Sequence, residues 1–185
     1  MIIIILLVVL VPLLLVGLFL MSAYNGLVGF RQAVKNAWAQ IDVQLTRRHD
    51  LIPNIVNTVK GYAAHEKGTL EAVINARAKA TGVTLPADKI KAEGELSSAL
   101  GRLLAVSEAY PDLKANQNFM ALQAELTSTE DRVSYARQSY NDSVTKLNTA
   151  IQTFPTVVIA GMFGFKEEPF FETPAEEKKA PTVQF

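Results

Sequence analysis

The side chains able to do chemistry crowd into one stretch, Ala37 to Glu66. Trp38, Asp42, Arg47, Arg48, His49, Asp50, Pro53, Asn54, Lys60 and His65 all fall in it. The sharpest chemistry these types suggest is a hydrolytic metal site, with His49, Asp50, His65 and Glu66 supplying nitrogen and oxygen ligands beside Asp42. Spacing argues against it. The chain has 2 His, 16 positions apart, and neither belongs to an HExxH or comparable ligand pattern. His65 and Glu66 are neighbours, so a helix points them to different sides. The chain has no Cys, which excludes disulfides, thiolate zinc ligands and a lipid-modified N-terminal Cys. There is no GxSxG, and Gly161-Met162-Phe163-Gly164 follows no strand pattern that would make it a phosphate loop. These residues point to no catalytic group, no metal and no cofactor, and the chain reads as a non-enzyme.

A structural role fits the same stretch better. Leu27, Val34, Trp38, Ile41, Leu45 and Ile52 recur on three- and four-residue steps, and Arg48 sits on that apolar seam. A cation there must be paired or carry its head to water. Glu130, Asp131 and Arg132, far along the chain, flank a second seam where charges select a neighbour and its register. The expectation is an ionic and hydrogen-bonded joint between Asp42, Arg47, Arg48 or Asp50 and Glu130, Asp131 or Arg132. An Arg48–Glu130 charge swap should then recover what each single change loses.

The elements that must position these groups read as helices throughout. A first soluble helix runs from Tyr24 to His49. Asp50 and Pro53 look like the cap and first turn of a second helix reaching about Lys79, or else a kink in one longer helix. Gly61 and Gly68 weaken its middle. A third runs from Ala87 or Asp88 to Tyr110. Pro111-Asp112 then opens a fourth, from Asp112 to about Thr153, with Phe119, Leu122, Leu126, Val133, Tyr140, Val144, Leu147, Ile151 and Phe154 at near-heptad spacing. Some 40 helical residues would span roughly 60 Å. The fold class is therefore all-α: a single N-terminal transmembrane helix followed by an elongated antiparallel four-helix bundle with long, coiled-coil-like helices.

Ile2 to Met21 carries no charge and spans roughly 30 Å as a helix, the hydrocarbon thickness of a bilayer. It lacks the basic n-region and small-residue cleavage site of a signal peptide, so a retained anchor is expected. Arg31 and Lys35 follow it and no charged side chain precedes it. The positive-inside rule then favours an outside N-terminus and a cytoplasmic bundle. Lys+Arg and Asp+Glu are both 18, and this zero balance argues against nucleic acid as a partner. The divisions expected are 1–23 anchor, 24–154 helical bundle, 155–171 apolar Phe-rich segment and 172–185 disordered tail. Phe163, Phe165, Phe170 and Phe171 either fold back on the bundle or serve as assembly contacts.

Three long motifs resemble the bacterial LemA family: YNGLVGFRQAVKNAWAQIDVQLTRRHDLIPNIVNTVKGYAAHE, LTSTEDRVSYARQSYNDSVTKLNT from Leu126 to Thr149, and the FP…FGF…PFFE ending from Phe154 to Glu172. The resemblance covers nearly all of the chain after the apolar run. Ile55 departs from the commoner Leu and Leu147 from a frequent aromatic. The resemblance implies a bacterial membrane anchor followed by a helical bundle, with no established enzymatic activity. It implies relatives associated with magnetosome membranes and members that look like membrane-organising or accessory proteins. The expected function is a self-assembling scaffold in the bacterial inner membrane, whose partners are the bilayer and further copies of itself. The alternative is an adaptor or sensor for a second membrane protein such as a quality-control protease, and a metal-dependent hydrolase is the remote third reading.

Overall fold

The computed structural model describes residues 1–63 and 65–171, with the side chains of 2–5 outside that description. The tail expected over 172–185 lies outside the described residues. Those described are helical, with no strand among them: α1 Ile2–Tyr62, α2 Lys67–Gly82, α3 Pro86–Ser107, α4 Pro111–Lys114, α5 Gln117–Gln152 and α6 Thr156–Met162. One helix among them is long and apolar enough to cross a membrane. Its large side chains from Leu6 to Met21 are exposed.

The corner expected at Asp50–Pro53 does not exist. α1 runs through it for 61 residues, and Asp50 and Pro53 lie on its exposed side. The break comes later, between Tyr62 and Lys67. Gly61 and Gly68 bracket it, each about 1 kcal/mol worse than Ala in a helix. Ala63 is fully buried in the turn, which holds the corner in place. A second correction concerns the long fourth helix. Pro111–Lys114 forms only one turn, and α5 restarts at Gln117. The side chain of Asn116 caps the restart by accepting from the Phe119 N–H at 3.0 Å.

The chain divides into two compact units, one of Met1–Gln40 with Arg137–Phe170, the other of Ile41–Ala136 with Phe171. The second unit has the larger core. Ile52, Ile55, Val56 and Val59 of α1 meet Leu70 and Val73 of α2, Leu96, Leu100 and Leu103 of α3, Leu113 of α4, and Phe119 and Leu126 of α5. These are one-sided three- and four-residue stripes, so each helix buries a single face.

In the first unit, Leu27 of α1 packs with Ile159 and Ala160 of α6 and with Phe165, flanked by Ala23, Val28, Ala150 and Ile151. The end of α6 explains how Phe165 arrives there. Gly164 takes φ +69°. The Phe165 N–H reaches back to the Ala160 carbonyl at 2.9 Å and the Gly164 N–H to Gly161 at 3.4 Å. This is a Schellman cap, and the Phe165 ring against Ile159 and Ala160 is its hydrophobic contact. A Cβ on Gly164 would meet nothing within 4 Å, so substitution is opposed by the backbone alone. Gly164→Ala is expected to destabilise by about 1–2 kcal/mol, the left-handed cost for an L-residue, checked by thermal melting against Gly161→Ala, which lies at negative φ and should lose nothing.

Candidate functional site

The polar density of the opening stretch converges on Arg48, which is fully buried in the second unit. A buried guanidinium has to be neutralised, and two other helices contribute. Glu93 of α3, also fully buried, places Oε2 3.3 Å from Nη1. Ser97, one turn on, accepts from Nη2 at 2.8 Å. Glu130 of α5 reaches the same Nη2 at 2.7 Å from a half-exposed position. The other oxygen of Glu93 lies 2.8 Å from His49 Nε2. Glu93 thus joins Arg48 and His49, two successive residues of α1, to α3.

Two further pairs flank this cluster. Lys89 of α3 pairs with Asp42, and Arg47 pairs with Glu125 of α5. Arg77 of α2 donates from Nε to the backbone carbonyl of His49 at 2.7 Å. That carbonyl is the one whose helical partner would be the N–H of residue 53, and Pro53 has none. Arg77 of α2 thus supplies a donor to the carbonyl that the proline leaves without its helical one.

Of the residues expected to form a joint, the structure brings Arg48 and Glu130 together. Asp42 and Arg47 are paired, but with Lys89 and Glu125. Asp50, Asp131 and Arg132 lie exposed and outside the cluster. Glu93, Ser97, Arg77, Lys89 and Glu125 were not anticipated. One signal could have found Glu93: it stands three residues before Leu96 and continues the seam Leu96, Leu100, Leu103, Ser107. Its burial also changes the outcome of the charge swap. With Arg48→Glu, the new carboxylate would face Glu93, so Arg48→Glu with Glu130→Arg should recover little.

The chemistry available to the cluster is limited by its geometry. His49–Glu93 has the form of a base held by an orienting carboxylate, but Ser97 is bonded to Arg48 and not to the imidazole. His65 lies exposed in the turn after α1. Among the described residues, no three of His, Cys, Asp and Glu gather as metal ligands. Two open surface features of this unit are shallow. One lies between α2 and α3, where Lys79 pairs with Glu95 at 2.6 Å and holds its carboxyl below the usual range. The other lies between α1 and α5 and is lined by Asn54, Asn57, Thr58 and Asn118.

The first unit has a polar network of its own. Asn148 binds Glu168 twice, donating to its carbonyl at 2.9 Å and accepting from its N–H at 3.0 Å. The Tyr140 hydroxyl donates to the Pro169 carbonyl at 2.9 Å, and its ring meets Trp38 edge-on at 5.3 Å. These bonds lay the chain after α6 back along α5. Phe165 and Phe171 are buried, whereas Phe163 and Phe170 stay about half exposed, so the four aromatics do not act as one set. Burial, and then the nearby Glu168, push the Tyr140 hydroxyl above its ordinary value. A raised folded value means its stabilisation is complete below pH about 10 and lost as pH rises through the shifted value. Tyr140→Phe is therefore expected to lose about 1 kcal/mol near neutrality and to show a shallower alkaline fall in stability than the parent, read from melts across the alkaline range.

The family model described as "LemA family" matches residues 37–185. Magnetosome protein MamQ of Magnetospirillum gryphiswaldense is 27% identical over 192 residues, covering 89% of this chain and 71% of that protein. Magnetosome protein MamQ 2 of Paramagnetospirillum magneticum is 26% identical over the same shares. Protein LemA of Metamycoplasma hominis is 26% identical over 137 residues, 74% of this chain and 63% of that protein.

Proposed function

The chain belongs to the LemA family, and from that premise we propose that it is a non-enzymatic, single-pass protein of the bacterial inner membrane that assembles with itself into a membrane scaffold. The observation that carries the reading is the burial of Arg48 and Glu93. The most reactive-looking side chains of the chain are bonded to one another and closed to solvent, an arrangement suited to fixing helix register and not to meeting a substrate. The exposed apolar side chains from Leu6 to Met21 support the anchor, and the names of the relatives, magnetosome proteins and a LemA protein, are not names of enzymes. In this reading residues 24–154 form an elongated antiparallel four-helix bundle, and the cluster around Arg48, with Asp42, Arg47 and Glu130, is the joint that sets its shape. The bundle faces the cytoplasm, as Arg31 and Lys35 favour. Identical units held at one membrane face can then pack side by side into closed assemblies.

The test is the mass of the protein extracted from native membranes in mild detergent. Integer multiples of the 20.2 kDa chain are expected. A monomer across the accessible concentration range would overturn the scaffold, and a stoichiometric second protein would replace it with an adaptor.

A further inference from the structure

α6 and its flanks expose an apolar surface that neither core uses. Phe154 is 78% exposed, Met162 72%, Phe163 57% and Val158 54%, with Val157 beside them. The chain carries no charge between Lys146 and Lys166, so this is a continuous uncharged segment and not a scatter of single apolar residues. Its buried side fixes where it sits. Ile159, Ala160 and Phe165 pack on α1 at Ala23, Leu27 and Val28. Ala23 and Leu27 follow Met21, the last residue of the apolar run read as the span, by about 3 and 9 Å of helix. The polar headgroup layer on each side of the hydrocarbon is about 5–8 Å deep. With residues 2–21 as the span, α6 is thus held against α1 from within the headgroup layer at Ala23 to its outer edge at Leu27.

We propose that the outer face of α6, with Phe154 and Phe163, inserts into the lipid headgroup boundary beside the anchor and makes a second, shallow membrane contact. This rests on the reading of residues 2–21 as a membrane span. Side chains of this kind bury about 5–10 Å into the boundary in surface-lying helices. The neighbours suit that layer. Tyr24 meets Phe163 in a tilted ring contact at 4.7 Å between centroids, placing a phenol at the depth where Tyr is favoured. The Arg31 guanidinium lies 4.9 Å over the Phe165 ring, and Lys166 is exposed next to it, both within reach of lipid phosphates. A second copy of the chain would also accept an apolar face. The position at the exit of the span selects lipid instead, because the bilayer is already there when α1 is inserted.

The absence of Cys in the chain makes a direct test clean. Leu14→Cys, Val43→Cys, Val158→Cys and Met162→Cys are made singly in the full chain, labelled with an environment-sensitive fluorophore and reconstituted into phosphatidylethanolamine–phosphatidylglycerol vesicles. Spin-labelled lipids quench at shallow or deep positions. Labels at 158 and 162 are expected to shift to the blue and lose most of their emission to the shallow quencher. The label at 14 should respond to the deep one, and that at 43 to neither. Labels at 158 and 162 that behave like the one at 43, with 14 still quenched, overturn the second contact and leave the span intact. A blue shift without lipid quenching means burial between copies and also overturns it. An unquenched label at 14 removes the span itself, and the second contact with it.

Discussion

Glu93→Leu is expected to destabilise the protein by about 3–5 kcal/mol, the cost of removing one partner from a buried ion pair. The loss is large because the partner stays behind. Arg48 has no exposed surface, so its charge has no route to water, and among the described residues Glu130, whose side chain is 39% exposed, is the ion-pair partner that remains. His49 Nε2 also loses its hydrogen-bond partner. Glu130→Gln should cost only about 1 kcal/mol, since that carboxylate is partly solvated and its amide still accepts from Arg48. The double change Arg48→Met with Glu93→Leu should recover most of the deficit, because an apolar pair of similar volume escapes the desolvation of both ions. Chemical denaturation of the full chain in detergent, followed by loss of helical circular dichroism, measures all three. A Glu93→Leu loss no larger than that of Glu130→Gln would mean that Arg48 is neutralised elsewhere. Against a total stability of about 5–15 kcal/mol for a typical domain, the expected loss is enough to lower the folded yield.

How much of this was legible in the sequence follows from what periodicity can and cannot report. The seams of α1 and α5 emerge from spacing alone: Leu27, Val34, Ile41, Leu45, Arg48 and Ile52 are buried as expected, as are Phe119, Leu126, Val133, Tyr140, Val144 and Leu147. Phe154 continues the same spacing yet is exposed, because α5 ends at Gln152 and the period means nothing past the last turn. The pairing of Arg48 with Glu130 was reachable because Arg48 sits on one seam and Glu130 flanks another. Glu93 was not found, because a Glu between Lys91 and Glu95 is read as surface unless the seam is counted through it. Which of several acids meets a buried Arg depends on helix order and axial stagger, which a periodic pattern does not encode. The Asp50–Pro53 corner failed for a related reason. Local rules correctly price Pro as a helix breaker, but they assume that the orphaned carbonyl stays orphaned, and a long-range donor voids that assumption.

That donor gives the second large effect. Arg77→Met is expected to cost about 1–3 kcal/mol, the penalty for leaving the His49 carbonyl unpaired in a partly buried site. The loss should depend on Pro53. With Pro53→Ala the chain regains an N–H at position 53, the helical bond to His49 re-forms, and Arg77 becomes one of two donors to an oxygen that accepts both. Arg77→Met made in the Pro53→Ala background should therefore cost about 1 kcal/mol less than in the parent, a coupling within the range measured for residues sharing one hydrogen-bond network. Pro53→Ala alone should stabilise, since proline inside a helix is about 3 kcal/mol worse than alanine, less the unfolded-state entropy that proline removes. Denaturation midpoints of the four proteins close the cycle. If the two changes add without coupling, Arg77 does not replace the helical bond at Pro53. If Pro53→Ala destabilises, the proline is favoured for its conformation, and α1 holds its course there for a reason other than the donor from α2. The coupled outcome would make α2 a condition for the continuity of α1: the arginine and the proline, 24 positions apart in the chain, would act as one device that carries a helix through its own breaking point and ties it to the next.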